Sequence, residues 1–288
     1  MTKTRKRRIR PLRILLVACI FFFFINVLIT LGVSLIRSFY HAPSQVMEIT
    51  AEPVQEVYVD PVYLNAYDLD KYKLVNQYLT YNDDQYTYEV GVDVSTHQKN
   101  INWETLKNTG IDFIFLRVGY RGYETGLINA DSRFNERISM ANTYKIPAGV
   151  YFFSQAISEE EAVEEAEYVL DKIKDYKVEY PIAFDMEDAS DHDRIKDMTA
   201  EEYTKVAAAF ARRIKDAGYE PIIYGSASWL ETKIFMEEIQ DICGFWVASY
   251  NTAKLPMIHD YKIWQYSSQG QVPGIDGIVD LNIYMKKK

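Results

Sequence analysis

Asp185 and Glu187 stand two positions apart in the run Phe184-Asp185-Met186-Glu187-Asp188. Alternate side chains of an extended strand share a face, so both carboxylates project one way while Phe184 and Met186 project the other. Like charges placed together raise at least one pKa, and burial adds to the effect. An acid held protonated beside an ionised one is the pairing that cleavage of a glycosidic bond requires. Asp93 lies in an earlier apolar run and Asp280 in a later one, and Arg117 in another could balance part of the charge. Tyr151, Tyr224, Trp246, Tyr250, Trp264 and Gln265 fall in the same pattern of runs. Rings and amides are what sugar faces and sugar hydroxyls need. By itself, a D-x-E on a strand also describes a solvated edge or an Arg-paired acid.

The elements that would carry these residues are legible from residue 89 onward. Apolar runs rich in β-branched and aromatic residues recur at 91–95, 113–119, 148–153, 181–187, 221–226, 245–249, 262–267 and 277–284. Near-continuous apolar runs suit strands buried on both faces. The intervals after the first five read as helices. Ser158-Glu159-Glu160-Glu161 and Thr199-Ala200-Glu201-Glu202 have the form of capping boxes, each followed by an apolar stripe at helical spacing. Shorter helices fit 103–109, 131–144 and 228–240. The gaps 250–261 and 268–276 are too short for a helix with two loops and hold Pro256, Gly270, Pro273 and Gly274. The expected fold class is therefore α/β, a (β/α)5(β)3 irregular TIM-like barrel over residues 89–288, with the last strands free to run antiparallel. Strand eight closes against strand one, which brings Asp280 and Asp93 to the end of the barrel where Asp185 and Glu187 emerge.

The N-terminus has a different character. Residues 14–36 form a 23-residue stretch with no ionisable group but the Cys19 thiol. At about 1.5 Å per residue it spans roughly 34 Å, enough for a hydrocarbon core of about 30 Å. Residues 1–13 carry seven basic groups and only Arg37 follows closely, so the positive-inside bias keeps 1–13 cytoplasmic and sends the rest outside. The apolar stretch is longer than a signal peptide's, and Arg37-Ser38-Phe39-Tyr40 is a poor cleavage site. A single-pass signal anchor in the cell membrane is expected. Residues 37–88, interrupted by Pro43, Pro53 and Pro61 and studded with tyrosines, read as an extracellular stalk whose part 72–88 packs on the following domain.

Charge excludes one class of partner. Of 32 basic and 41 acidic groups, residues 1–50 hold eight and one, which leaves 24 and 40 on the remainder, a net of −16. Such a body is repelled by nucleic acid. Two cysteines, Cys19 and Cys243, form no disulfide framework and no Cys-rich zinc site. No phosphate-cradling loop or EF-hand spacing is present, so neither cofactor nor metal is expected. The acidic run 187–193 reads as a solvated loop, and Cys243 as core.

Six ordered blocks over about 89–284 resemble glycoside hydrolase family 25, the N-acetylmuramidases often called Chalaropsis-type lysozymes. They are Gly91-Val92-Asp93-Val94-Ser95-Thr96-His97-Gln98 with Ile101-Asn102-Trp103; Phe115-Leu116-Arg117-Val118-Gly119 with Asp131 and Phe134; Ile146 to Phe153; Asp185-Met186-Glu187; Trp264-Gln265-Tyr266-Ser267-Ser268; and Val272-Pro273-Gly274-Ile275 with Val279-Asp280-Leu281-Asn282. The resemblance implies a (β/α)5(β)3 barrel and hydrolysis of the β-1,4 bond from N-acetylmuramic acid to N-acetylglucosamine in peptidoglycan. It implies Glu187 as general acid/base, Asp185 as its partner, and Asp93 and Asp280 as further acids of the site. Since that substrate carries a 2-acetamido group, a substrate-assisted retaining route is expected, with Asp185 holding the acetamide N–H. Lys99 and Phe152 stand where the family commonly has Gly and His, and are expected to reshape the cleft. His97 is expected to bond backbone and orient Asp93. Two other classes compete. A non-catalytic membrane-anchored wall-binding or scaffolding protein has no need of all four acids. Family-18 chitinases carry D-x-x-D-x-D-x-E, whereas the stretch Tyr180 to Glu187 supplies only Asp185 and Glu187.

Overall fold

The computed structural model describes residues 64–187, 193–250, 252, 255, 257 and 259–288. The expected tail and anchor, the stalk up to residue 63, and the loop 188–192 lie outside them. Among the described residues no helix is long and apolar enough to cross a membrane.

The chain enters through a two-stranded hairpin, β1 (Tyr72–Val75) and β2 (Tyr78–Tyr81). The barrel strands are β3 (Tyr86–Val94), β4 (Phe113–Arg121), β6 (Ala148–Phe153), β7 (Ile182–Asp185), β8 (Pro221–Ser226), β9 (Gly244–Ala248), β10 (Ile263–Gly270) and β11 (Val279–Lys287). A short strand, β5 (Ile128–Ala130), folds back antiparallel on β4. The helices are α1 (Trp103–Lys107), α2 (Phe134–Tyr144), α3 (Glu159–Ile173), α4 (Ala200–Asp216), α5 (Ala227–Lys233) and α6 (Met236–Ile239). The first five barrel strands are each followed by a helix; among the described residues the last three are not.

Of the eight barrel strands, those from β3 round to β10 run parallel and β11 alone is antiparallel, closing the ring between β10 and β3. The long connection from Ala248 to Ile263 lets β10 return parallel to β9, while the short turn after Gly270 reverses the chain. The register across the closure sets Asp280 opposite Asp93. Reversal thus brings the first residues of β11, not its last, to the end of the barrel where the parallel strands finish.

Inside the ring sit Phe113, Phe115, Ala183, Ile222, Trp246, Ile263 and Tyr284. Two glycines make room for the rings. A Cβ on Gly91 would come within 2.1 Å of the Phe113 ring, and one on Gly149 within 2.5 Å of Phe115. The larger core lies outside the ring, under the helices. Ala162, Ala166, Val169 and Ile173 of α3, with Tyr203, Val206, Ala207, Phe210 and Ile214 of α4, are buried along one stripe each. Phe210 meets Phe184 of β7 with centroids 4.6 Å apart.

One capping box forms as expected, and three local expectations need correcting. The capping box at Thr199 is complete, with Glu202 N donating to Thr199 Oγ1 and Thr199 N to the Glu202 carboxylate. At Ser158 only half of it forms, because Glu161 turns to Ile157 N and the Arg194 guanidinium, 2.8 Å away. The single helix expected over 228–240 is two, interrupted at Ile234 and Phe235, whose N–H donates to Thr204 Oγ1. The segment 72–88 packs on the barrel as expected, but the barrel itself begins before residue 89. Strand β3 starts at Tyr86, and the hairpin covers the outer face of β10 and β11, where the helices have stopped. Tyr72 meets Tyr81 and Trp264 edge-on, its hydroxyl bonds to that of Tyr261, and Leu79 N donates to the Tyr266 hydroxyl.

Candidate active site

The strand ends bring Asp93, Asp185, Glu187 and Asp280 around a cavity of about 190 Å³, walled by Tyr151, Phe153, Tyr224, Trp246, Tyr250 and Gln265. Each wall residue comes from the inward-facing set of its strand or from the loop just beyond it.

Asp93 is buried and fully engaged. Its Oδ2 accepts from Gln265 Nε2 and from Asn282 Nδ2, both at 2.8 Å. Each amide is fixed in turn. Asn282 Oδ1 accepts the Trp246 indole N–H at 2.8 Å, and Gln265 Oε1 accepts the hydroxyls of Tyr224 and Tyr250 at 2.8 and 2.5 Å. Both amide nitrogens therefore point at the carboxylate. Burial pushes the Asp93 carboxyl up while the two amides pull it back. Asp280 is pushed up to about 8, by burial and then by the charge of Asp93. The donors lie on Asp93, so the anion resides there and Asp280 keeps the proton near neutrality.

Asp185 ends β7, and Glu187 lies two residues on, with Met186 between them buried in the outer core. Ser154 N donates to the Asp185 carbonyl at 2.7 Å, and Gln155 Nε2 to the Glu187 carbonyl at 3.4 Å, so the loop after β6 braces this strand end. Glu187 Oε1 accepts from Ser226 N at 2.7 Å, where α5 begins. Asp185 Oδ1 is buried and has no hydrogen-bond partner among the described residues. Burial, then Glu187, then Asp93 hold its carboxyl well above the usual range, against the opposing charge of Arg117. Such an oxygen is an acceptor for which the described residues supply no donor.

The other residues expected here divide by strand parity. Tyr151, Tyr224, Trp246, Tyr250 and Gln265 line the cavity. The Trp246 ring tilts against Phe115 at 4.5 Å and meets Tyr224 edge-on at 4.9 Å, forming the floor. Arg117 sits beside the cavity, not in its wall, and its Nε holds Asp131 at 2.9 Å. Trp264 does not reach the site. It alternates with Gln265, faces the hairpin, and donates its N–H to the Ser249 carbonyl at 2.9 Å. Phe152 likewise faces outward against Tyr168, so it cannot shape the cleft; its neighbour Phe153 does. His97 is exposed and its backbone N–H donates to Ser95 Oγ, while Gln265 and Asn282 hold Asp93 in its place. Cys243 is buried, as expected of a core thiol. Asn282, Phe153 and the Ser226 N–H were not among the expected site residues. Counting inward positions from Asp280 and Tyr151 would have found the first two.

Two recesses extend the cavity. One of about 580 Å³ shares Glu187, Tyr224 and Tyr250 with it, and another of about 540 Å³ shares Asp280 and is lined by His97 and Lys99. The acids thus lie between two flanking recesses, one on the Glu187 side and one on the Asp280 side.

The model of the glycosyl hydrolases family 25 matches residues 92–275. The uncharacterized protein YegX of Escherichia coli (strain K12) is 26% identical over 201 residues, covering 67% of this chain and 68% of its own length. Lysozyme M1 of Streptomyces globisporus is 26% identical over 202 residues, covering 67% and 66%. Among solved structures, the modular autolysin LytC from Streptococcus pneumoniae, in complex with a synthetic peptidoglycan ligand, superposes with a TM-score of 0.62 at 24% identity. That match covers 74% of this chain and 52% of LytC, so this chain spans about half of that autolysin's length.

Proposed function

Since the chain belongs to the glycosyl hydrolases of family 25, we propose that it is an N-acetylmuramidase that cuts the β-1,4 bond between N-acetylmuramic acid and N-acetylglucosamine in peptidoglycan. The observation that carries this reading is the buried Asp185 Oδ1 beside Glu187, unpartnered among the described residues. A 2-acetamido sugar brings the N–H donor that this oxygen lacks.

Glu187 delivers its proton to the glycosidic oxygen as the anomeric C–O bond breaks. The acetamide carbonyl oxygen of the same sugar bonds to the anomeric carbon from the opposite face, giving an oxazolinium ion. Asp185 accepts the acetamide N–H, and the positive charge growing there draws Asp185 toward its anion. Glu187, now ionised, takes a proton from water, whose oxygen opens the ring at the anomeric carbon and leaves the β configuration. Asp93, held by its two amides, keeps a fixed negative charge near the developing cation, and Asp280 stays neutral beside it. Tyr151, Tyr224, Trp246 and Tyr250 present rings to the sugar faces.

The barrel works outside the cell in this reading. Residues 14–36 are an uncleaved anchor, 1–13 face the cytoplasm, and the stalk after 37 sets the (β/α)5(β)3 barrel in the wall. External protease on intact cells should release the barrel; its full protection would reverse the topology.

Purified peptidoglycan treated with the full-length protein should give fragments with muramic acid at the reducing end by mass spectrometry. Glucosamine ends would overturn the bond assignment. Binding without products would make the protein a wall-binding scaffold. Glu187→Gln should lower turnover by roughly 10²–10⁴-fold with the fold intact. Early product NMR should show the β-anomer, and an α-anomer would exclude the oxazolinium route.

A further inference from the structure

A recess of about 470 Å³ lies on the outer side of β10, walled on its far side by the hairpin. That volume is in the range of ligand sites. Its hairpin wall is Leu74, Asn76 and Gln77, and its barrel wall is Trp264, Ser267 and Gln269. Leu74 is 65% exposed and Gln269 is exposed too, so both are open to an incoming molecule.

The recess is tied to the catalytic groove, the acid-lined cavity with its two flanking recesses, in two places. The last residues of β10 form a ridge between them: Ser267 and Gln269 face the recess, while Ser268 faces the groove on the Asp280 side. Thr252, also in the recess wall, is two residues past Tyr250 of the catalytic cavity. The hairpin wall is held rigidly. Its two-residue tip places Asn76 at φ 57°, the left-handed region a tight hairpin turn demands. The Gln77 side chain clamps the next turn, donating to the Gln271 carbonyl at 2.7 Å and accepting from Gln271 N at 2.9 Å.

We propose that this recess is a second carbohydrate subsite, in which an N-acetylglucosamine residue of the glycan, the sugar of the repeat without a carboxylate, lies against the hairpin while the same or a neighbouring strand is cut in the groove. The proposal rests on the reading of the protein as a peptidoglycan hydrolase. The lining decides the ligand class. Among the described residues that line it, none carries a charge at neutral pH, and amide, hydroxyl and apolar surfaces alternate. A pyranose offers the match, with hydroxyls around its rim and C–H groups on its faces. A stem peptide would bring carboxylates with no cation in that lining to meet them. The hairpin lies outside residues 92–275, the part that the family model matches.

The test uses the full-length protein and the double variant Leu74→Asp/Gln269→Ala, two exposed positions outside the catalytic groove. KM on polymeric peptidoglycan should rise about fivefold, the scale of one net hydrogen bond and one apolar contact, at unchanged kcat. Turnover of a soluble GlcNAc–MurNAc tetrasaccharide should stay within about twofold of the parent, as fits exposed positions. An unchanged KM on the polymer overturns the subsite, and so does a parallel loss on the tetrasaccharide, which would make the recess part of the cleft. The same double variant in the Glu187→Gln background should show about fivefold weaker sedimentation with peptidoglycan, a readout that survives if the chemistry assigned to Glu187 is wrong. Displacement of the protein from the polymer by free stem peptide, abolished in the double variant, would assign the recess to peptide and sink the carbohydrate proposal.

Discussion

The two sides of the barrel are covered by different means. The outer faces of β6, β7 and β8 lie under α3 and α4, which bury alanines, valines and isoleucines in continuous stripes. The outer face of β10 and β11 lies under a hairpin whose strands have four residues each. A strand that short covers little area, and the chain compensates with large rings. Tyr67 meets Tyr81, Tyr86 and Tyr261 edge-on, and Tyr72 meets Tyr81 and Trp264. Their hydroxyls are bound as well, Tyr67 to the Tyr261 carbonyl at 2.7 Å and Tyr72 to the Tyr261 hydroxyl at 3.0 Å. The helix side is held mainly by non-directional burial, with a buried ion pair from Arg121 of β4 to Glu165 of α3, and the hairpin side by rings fixed at their polar tips. The division extends to the acids. Asp185, on the helix side, keeps an oxygen without a partner among the described residues, whereas Asp93, on the hairpin side, has its Oδ2 doubly bonded.

The largest effect should come from breaking the helix side. Phe210→Ala removes a fully buried ring from between α4 and β7 and should cost about 3–5 kcal/mol, read from the urea midpoint. The corresponding polar test belongs to the hairpin. Tyr72→Phe keeps the ring but deletes the bond to Tyr261, and should cost about 0.5–1.5 kcal/mol. A neutral result would mean that the hairpin is held mainly by area, as the helices are, and the contrast would fail.

The smallest effect is one of slope. In the fold Asp280 keeps its proton up to about 8, whereas unfolded it ionises near 3.8. The unfolded chain sheds this proton first, so the stability that the neutral group contributes is complete below about pH 4 and is lost as pH rises toward 8. Asp280→Asn, which stays neutral, should flatten that decline in Tm across the window. A variant whose Tm falls as steeply as the parent's would show that Asp280 is already ionised beside Asp93.

Much of this was legible before any coordinates. The eight strands, the helices after the first five and the convergence of Asp93, Asp185, Glu187 and Asp280 follow from apolar runs, turn residues and alternation. Where the reading failed, it mostly set alternation aside. Trp264 and Gln265 are adjacent and cannot both face inward, and Tyr151 and Phe152 stand in the same relation. The hairpin was harder to see. Its tyrosines follow no helical period, and its partners on β10 lie some 190 positions away, as in the Leu79–Tyr266 bond with its separation of 187. Local sequence carries no record of such a pairing. The capping glutamate at 161 failed for a similar reason, since its competitor Arg194 is 33 residues distant.

The antiparallel strand β11 has a consequence in time. Asp93 is bound by Asn282, 189 positions away, and by Gln265, 172 away. Drawing such distant segments together carries the chain's largest loop-closure entropy, so the seam between β3 and β11 forms late in folding. Until β10 and β11 have docked, Asp93 lacks its two amide donors and Asp280 has not met its neighbour. The order of synthesis therefore bears on the site: the Asp185–Glu187 pair lies well before β11 in the chain, whereas Asp280 and the Asn282 amide that holds Asp93 come only with β11.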